Sequence, residues 1–216
     1  MMMAFDFPER RWITAESVVF RKTREQWGGL SNMAAGFPIM LGTTEFNTSE
    51  ALYQAMRFPA RPDVQKLIAD QASPMAAKMK SKLYRTDHSH PRWDDIRVPV
   101  MFWCLQLKLV QNWVEFGRLL RSTNALDIVE ESHRDRYWGA TRVDDDLVGS
   151  NVLGCLLVML RDQFAINESP ASVEAPDLGL MLMGEPVPRW TSDDPVPVRR
   201  PSEKAKAADQ LGFDWS

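Results

Sequence analysis

The sequence predicts an α+β fold, a mainly helical single domain with a small sheet of short strands. The segment 100–120 is apolar on almost every side, which is typical of a central buried helix. Two further segments, 48–57 and 72–84, combine helix-capping residues with good helix formers. Strands are expected to be few, because only short runs such as 17–22 and 37–41 have a strand-like composition.

The other elements follow from similar signals along the chain. Asp63 is expected to cap a helix of about two turns. Ser73 is expected to cap the next helix, with Pro74 at its first position. The segment 125–132 suits either a short helix or a strand, and the amphipathic segment 150–164 closes the domain as a helix.

The composition divides the chain into a domain at 1–166 and a C-terminal extension at 167–216. The domain is expected to be a compact unit, because 44% of the 216 residues are apolar and 25% are charged, as in globular proteins. The extension is rich in proline with serine and acidic residues between, which favours extended backbone. Its apolar run 177–188 is predicted to dock on the domain as a short strand.

Charge and hydropathy exclude several classes of protein. The net charge of −3 gives no general electrostatic attraction to nucleic acid. The N-terminus lacks the apolar core of a secretory signal, and no window approaches the roughly 18 apolar residues of a membrane span. Cys104 and Cys155 lie in apolar segments and are expected to be buried thiols. A cytoplasmic protein without a membrane partner is the simplest expectation.

Common cofactor and metal motifs are missing. The chain has no glycine-rich phosphate loop, no nucleophile elbow and no paired CxxC. Its three histidines lack cysteine or carboxylate neighbours at a persuasive spacing for zinc. The sequence therefore predicts chemistry that uses neither a metal nor an organic cofactor.

The stretch "SEALYQAMRFP" at 49–59 places polar groups on one helix face. Glu50, Tyr53, Gln54 and Arg57 recur at spacings of three and four, so a carboxylate, a phenol, an amide and a guanidinium share one stripe. The alternative is purely structural, with Asn47 as the helix cap and Glu50 returning a hydrogen bond to it as in a capping box.

Lys108 lies between two leucines in the most apolar segment of the chain. An ammonium buried there would have a lowered pKa and could act as a nucleophile toward an aldehyde or aminal carbon. The alternative is a lysine whose stem packs in the core while its charge reaches water.

Four more features each allow a binding role and a structural one. The hexapeptide "DRYWGA" at 135–140 suits either a pocket wall or a structured turn. Asn32 and Asn151 could bind a ligand hydroxyl or cap a local turn or helix. Lys78 and Lys82 share a helix face that could meet a phosphate or lie in solvent.

Taken in order along the chain, eight motifs carry a family resemblance. They are "GGLSNM", "SEALYQAMRF", "SPMAAKM", "WDDIR", "VMFWCLQLKLVQN", "LLRSTNALDIVEES", "DRYWGA" and "GSNVLGCLLVMLR". Together they cover about residues 20–164 and resemble the NADAR family of N-glycosidases. The resemblance implies an α+β fold and hydrolysis of a bond between a ribose carbon and an amine of a base.

The resemblance also implies site residues and substrates. The catalytic residues that it implies are Glu50, Lys108 and Asp135, and the substrate-binding residues are Asn32, Trp93, Trp138, Gly139 and Asn151. The polar helix faces described above add Tyr53, Arg57 and Lys78 as further candidate substrate-binding residues. The implied substrate carries a phosphorylated ribose on a base, most simply ADP-ribosylated guanine in nucleic acid or nucleotides. The alternatives are ribosylamino-pyrimidine phosphate intermediates of riboflavin synthesis, or a module that binds ADP-ribose without cleaving it.

One position departs from the family pattern. Members of the family carry "QAQKF" where this chain has "QAMRF", so Arg57 replaces a lysine. Arginine stays protonated and forms no imine, although it binds phosphate well. A covalent step in this chain would therefore have to use Lys108.

Overall fold

A computed structural model of the protein describes residues 5–165 and 168–197. It has the α+β fold that the sequence predicts. The α-helices among these residues are α1 (Ser49–Met56), α2 (Pro62–Ala69), α3 (Pro74–Lys82), α4 (Arg85–His88), α5 (Trp93–Gln111), α6 (Glu115–Arg121) and α7 (Val152–Leu160). None of the helices in these ranges is long and apolar enough to cross a membrane.

The strands are short and form several small sheets. They are β1 (Arg10–Trp12), β2 (Ser17–Phe20), β3 (Ile39–Leu41), β4 (Thr44–Phe46), β5 (Asp127–Glu130), β6 (Thr141–Val143), β7 (Asp146–Gly149), β8 (Ser172–Val173), β9 (Met181–Leu182), β10 (Glu185–Pro186) and β11 (Trp190–Thr191). Antiparallel pairing gives the sheet β1-β7-β6 and the pairs β3-β4, β9-β10 and β8-β11, whereas β2 and β5 are parallel. The carboxyl ends of β2 and β5 therefore meet at one edge.

The central helix α5 packs against α1, α7 and β3 and is almost wholly buried. It begins earlier than the predicted 100–120 helix, because Asp94 and Asp95 complement the helix dipole in the first turn and Pro99 is accommodated inside the helix. It ends at Gln111, where the side chain of Asn112 donates to the carbonyls of Pro38 and Lys108. The predicted single helix is therefore two, α5 and α6.

The cap of α1 differs from the predicted one. Thr48 is the N-cap, and its hydroxyl accepts the Ala51 N–H at 3.2 Å. The Asn47 side chain instead donates to the carbonyl of Gln71. The capping-box interpretation of Glu50 is therefore wrong, because the helix starts one residue later and Glu50 points away from its cap.

The predicted cap of α2 is wrong, and the predicted cap of α3 is confirmed. Asp63 lies inside the first turn of α2 and is not its cap, because the helix begins at Pro62. Ser73 caps α3 as predicted, accepting the Ala76 N–H at 3.2 Å, and Pro74 is the first helical residue.

The ambiguous segment 125–132 contains the strand β5 and no helix. Asn151 stands beside it in a left-handed conformation, with φ of 50°, at the start of α7. Its side chain does not cap the helix; it donates to the Ile128 carbonyl at 2.8 Å and accepts the Glu130 N–H at 3.0 Å. A side chain thus takes the place of a neighbouring strand along β5.

The described part of the C-terminal extension packs on the domain. Leu180, Leu182 and Trp190 are buried in the core. The carboxamide of Gln65 on α2 donates to the Met181 carbonyl and accepts the Met183 N–H, both at 2.7 Å. The run 177–188 therefore docks, although it pairs with itself as a β9-β10 hairpin instead of joining a strand of the domain. Residues 198–216 lie outside the described part.

Candidate active site

A polar cavity of about 680 Å³ opens at the carboxyl ends of β2 and β5. Helices α1, α3 and α5 form its other walls. Of the residues implied by the sequence motifs, the structure brings these to its lining: Asn32, Glu50, Tyr53, Arg57, Lys78, Trp93, Asp135 and Trp138. Lys108, Gly139 and Asn151 do not line it.

Glu50 is a buried carboxylate, with a relative exposure of 3%. Asn32 donates its amide N–H to Oε2 at 2.5 Å, and Gln54 donates to Oε1 at 2.9 Å. The Lys78 ammonium lies 3.9 Å from the same Oε1. Both carboxylate oxygens therefore accept from amide N–H donors, and a positive charge lies beside one of them.

Gln54 is itself oriented by the residues behind it. Its amide oxygen accepts from the Ser81 hydroxyl at 2.5 Å and from Arg85 Nη2 at 3.1 Å. That pairing directs the amide nitrogen toward Glu50, so the carboxylate is held by a chain of hydrogen bonds that runs from α4 through α1.

Three aromatic side chains form one wall of the cavity. The Tyr53 ring lies 5.1 Å from Trp93 and 5.7 Å from Trp138, measured between ring centroids. Burial, followed by the charge of Glu50, raises the pKa of the Tyr53 phenol well above its usual value. Tyr53 is therefore a neutral hydroxyl, and the wall offers flat surfaces on which a base can stack.

Arginine side chains carry positive charge along the same cavity. Arg57 donates through Nε to the Ser89 hydroxyl at 2.7 Å and lies 5.2 Å above the Trp93 ring. Burial and the neighbouring charge of Arg85 lower the pKa of Arg57. It remains a cation near neutral pH, since guanidinium groups lose their proton only under strongly basic conditions. This geometry suits an anionic group such as phosphate.

Sequence reasoning missed Arg97, which also lines the cavity. Its guanidinium lies 4.0 Å from the Tyr137 ring centroid, and its buried Nε has no hydrogen-bond partner among the described residues. Trp93, Arg97 and Met101 recur every four residues on α5 and all line the cavity. That spacing was the available signal, but the prediction started the helix too late to include it.

Asp135 lies at the exposed rim of the cavity. Its Oδ1 accepts the backbone N–H groups of Tyr137 at 3.0 Å and Trp138 at 2.9 Å. The 135–140 segment therefore fits both predicted interpretations, because a structured turn places Trp138 in the pocket wall.

Lys108 lies behind the cavity and not in it. It is 1% exposed, and its Nζ donates to the carbonyls of Gly29 at 2.7 Å and Ser31 at 2.9 Å. The rings of Phe37 and Phe116 lie 4.8 and 4.1 Å away, and burial lowers its pKa well below the usual value. Neither predicted role of Lys108 agrees with the structure, since its amine contacts neither the cavity nor solvent.

Gly139 and Asn151 contact the backbone of β5. A Cβ added to Gly139 would lie 2.6 Å from the Glu130 carbonyl oxygen, so the absence of a side chain permits this close approach. Asn151 holds the same strand through the hydrogen bonds described above. Both residues therefore position β5, and neither lines the cavity.

Glu130, at the end of β5, is a second cavity residue that sequence reasoning missed. Burial and the charges of Glu50 and Asp135 raise the pKa of its carboxyl to about 7. The sequence of this segment suits either a helix or a strand, so it does not predict the direction of the Glu130 side chain. No cluster of three or more potential metal ligands is present in the ranges 5–165 and 168–197.

Several known proteins are similar to this chain in sequence. N-glycosidase YbiA of Escherichia coli K12 is 32% identical over 155 residues, which cover 69% of this chain and 89% of that protein. A riboflavin biosynthesis protein of Vibrio vulnificus is 30% identical over 153 residues, covering 70% of this chain and 39% of the relative. The chloroplastic riboflavin biosynthesis protein PYRR of Arabidopsis thaliana is 33% identical over 97 residues, covering 45% and 14%.

The fold agrees with these sequence comparisons. The NMR structure of E. coli YbiA matches with a TM-score of 0.58 and 29% identity, over 68% of this chain and 85% of that one. The NADAR domain family matches residues 19–165, which contain every cavity residue described above. The chain belongs to the NADAR family.

Proposed function

We propose that this chain, a hydrolase of N-glycosyl bonds, releases ADP-ribose from an amine of a nucleobase, with ADP-ribosylated guanine as its preferred substrate. The observation that carries the proposal is the position of Glu50. A buried carboxylate, held by two amide donors, lies at the floor of a cavity that has an aromatic wall and arginines along its sides. The N-glycosidase relatives support the class of reaction.

Glu50 acts as the general base in this proposal. Its carboxylate accepts a proton from water as the water oxygen attacks the ribose carbon that bears the base. Asn32 and Gln54 keep the carboxylate in position, and Lys78 remains beside it as a positive charge. Preorganised groups of this kind lower the barrier because they need not reorient during the reaction.

The cavity walls provide the binding groups. Trp93 and Trp138 offer stacking surfaces for the base. Arg57, Arg85 and Arg97 line the cavity and offer guanidinium groups for the phosphates. Asp135 contributes by positioning Trp138.

Direct attack by water suits this chain better than an imine on Lys108. Lys108 is separated from the cavity by the carbonyls it binds at Gly29 and Ser31. The arginine at position 57 cannot form an imine because its guanidinium stays protonated.

A second candidate substrate has specific support. Two of the relatives are named riboflavin biosynthesis proteins. Ribosylamino-pyrimidine phosphates present the same chemical elements as ADP-ribosylated guanine, namely a phosphorylated ribose on the amine of a base. A third possibility, binding of ADP-ribose without cleavage, makes no use of the carboxylate at the cavity floor.

The test compares the candidate substrates directly. Purified protein is incubated with a guanine-ADP-ribosylated oligonucleotide or with the ribosylamino-pyrimidine phosphates, and products are followed by mass spectrometry. Release of ADP-ribose at the higher kcat/KM supports the first proposal. Faster turnover of the pyrimidine phosphates transfers it to the second. Tight ADP-ribose binding with no turnover of either substrate overturns both in favour of a binding module.

A further inference from the structure

Glu130 is the cavity carboxylate that the proposed function has not yet used. It is the last residue of β5, and its backbone is held on three sides. Asn151 accepts its N–H at 3.0 Å, Ala140 donates to its carbonyl at 2.9 Å, and the bare Cα of Gly139 packs against that carbonyl. Its backbone position is therefore defined by the same residues that the motifs imply for substrate binding.

The carboxyl group of Glu130 differs from the other two acids in the cavity. The Glu50 carboxylate accepts hydrogen bonds from two side-chain amides, and the Asp135 carboxylate accepts them from two backbone N–H groups. The Glu130 carboxyl, in contrast, makes no hydrogen bond or ion pair with any residue in the described part of the chain, although it lines the cavity. It is free to bond to a ligand.

The charged groups around Glu130 favour its protonated form. Glu50 faces it from α1 and Asp135 from the following loop, and both raise its pKa in addition to the effect of burial. Lys78, from α3, acts in the opposite direction. The resulting pKa of about 7 leaves a substantial fraction as carboxylic acid near neutral pH. A protonated carboxyl group beside a second carboxyl group in one cavity is an arrangement that acid–base pairs use.

We propose that Glu130 is the general acid of the reaction and donates its proton to the departing base. This inference rests on the proposed function and adds the residue that protonates the leaving group. An exocyclic amine leaves poorly as an anion, so its nitrogen must gain a proton as the bond breaks.

The proton balance is complete with the two glutamates. The bond between the ribose carbon and the amine nitrogen breaks, its electron pair stays on nitrogen, and the proton of Glu130 moves to that nitrogen. The water oxygen bonds to the ribose carbon and its proton moves to Glu50. Transfer of one proton from Glu50 to Glu130 through solvent restores the starting state.

The test exploits a leaving group that needs no proton. Wild type, Glu130→Gln and Glu50→Gln are assayed on the guanine-ADP-ribosylated oligonucleotide and on 4-nitrophenyl ribofuranoside 5-phosphate, which releases a stable phenolate. We expect Glu130→Gln to lose about 100-fold or more in kcat on the first substrate and to stay within about fivefold of wild type on the second. Glu50→Gln is expected to lose activity on both.

The pH profile gives a second readout. Wild-type kcat on the oligonucleotide is expected to fall as the pH rises through about 7, where Glu130 loses its proton, and the variant lacks this limb. Asp127→Asn, at the exposed start of the same strand, is the matched control and keeps the wild-type profile. Thermal unfolding verifies that each variant is folded.

Each outcome decides the proposal. Equal losses on both substrates, or wild-type rates for Glu130→Gln on the oligonucleotide, overturn the role of Glu130 while leaving the proposed function intact. A wild-type protein that releases no ADP-ribose overturns the proposed function, and the role of Glu130 falls with it.

Discussion

The carboxamide of Asn32 donates to the carboxylate of Glu50 across 2.5 Å, joining the loop after β2 to the first turn of α1. The same loop is bound from behind by Lys108, which donates to the carbonyls of Gly29 and Ser31. A buried lysine that contacts no substrate space thus positions the residue that holds the proposed base. Three residues far apart in sequence form one support for the cavity floor.

Asn32→Ala is expected to lower kcat by about 10- to 100-fold with little change in KM, because it removes a charged hydrogen bond worth about 1.5–3 kcal/mol. Steady-state kinetics on the oligonucleotide measure the split. Asn47→Ala is the matched control, since the Asn47 side chain donates to the Gln71 carbonyl away from the cavity. A change in KM alone would contradict the positioning role.

Lys108→Met is expected to reduce the free energy of unfolding by about 2–4 kcal/mol, because two buried carbonyls lose their donor. Urea denaturation measures this loss. Activity of the folded variant is expected to fall without disappearing, since Lys108 acts through Asn32. Borohydride trapping of a ribosyl adduct on Lys108 in the wild type would instead show that the amine reaches the substrate.

Arg57→Lys is expected to raise KM by about tenfold and leave kcat nearly unchanged, because a lysine cannot reproduce the paired guanidinium contacts to phosphate. Arg61→Lys is the control, since Arg61 pairs with exposed Asp63 away from the cavity lining. An increase in kcat would contradict this account and favour the family lysine as a nucleophile.

Glu130→Gln is expected to change the pH dependence of stability. The folded state raises the pKa of Glu130 from 4.5 to about 7, so between these values it binds more protons than the unfolded chain, and wild-type stability falls as the pH rises. The free energy of unfolding of the variant minus that of wild type should therefore be greater at pH 8 than at pH 4.5, by about 1–3 kcal/mol. Urea denaturation at both values measures this, and a constant difference would contradict the raised pKa.

Helix signals and ordered motifs predicted much of the cavity from sequence. The spacing of Glu50, Tyr53 and Arg57 predicts that they share one face, and in the structure all three line the cavity, with Arg57 directly after the last residue of α1. Local patterns sufficed here because the helix period alone determines which side chains neighbour one another.

The rest depended on contacts between distant segments. Lys108 looked accessible to chemistry, but whether a buried amine faces a pocket or a carbonyl is decided by the loop packed against it. Glu130 acquires its role from the parallel pairing of β2 with β5 and from Asn151, and neither is encoded in the residues around it. Asn151 suits either a cap or a ligand contact from its sequence, but its side chain supports β5 instead, a contact that depends on how distant segments pack.

Glu50 is the base that activates water in the proposed reaction. The direct measurement is single-turnover release of ADP-ribose from the guanine-modified oligonucleotide by wild type and Glu50→Gln, with Glu45→Gln on neighbouring β4 as the control and ADP-ribose affinity determined by calorimetry. We predict a loss of about 1000-fold in rate for Glu50→Gln with affinity within a few-fold of wild type. Release by Glu50→Gln at the wild-type rate would contradict the central claim.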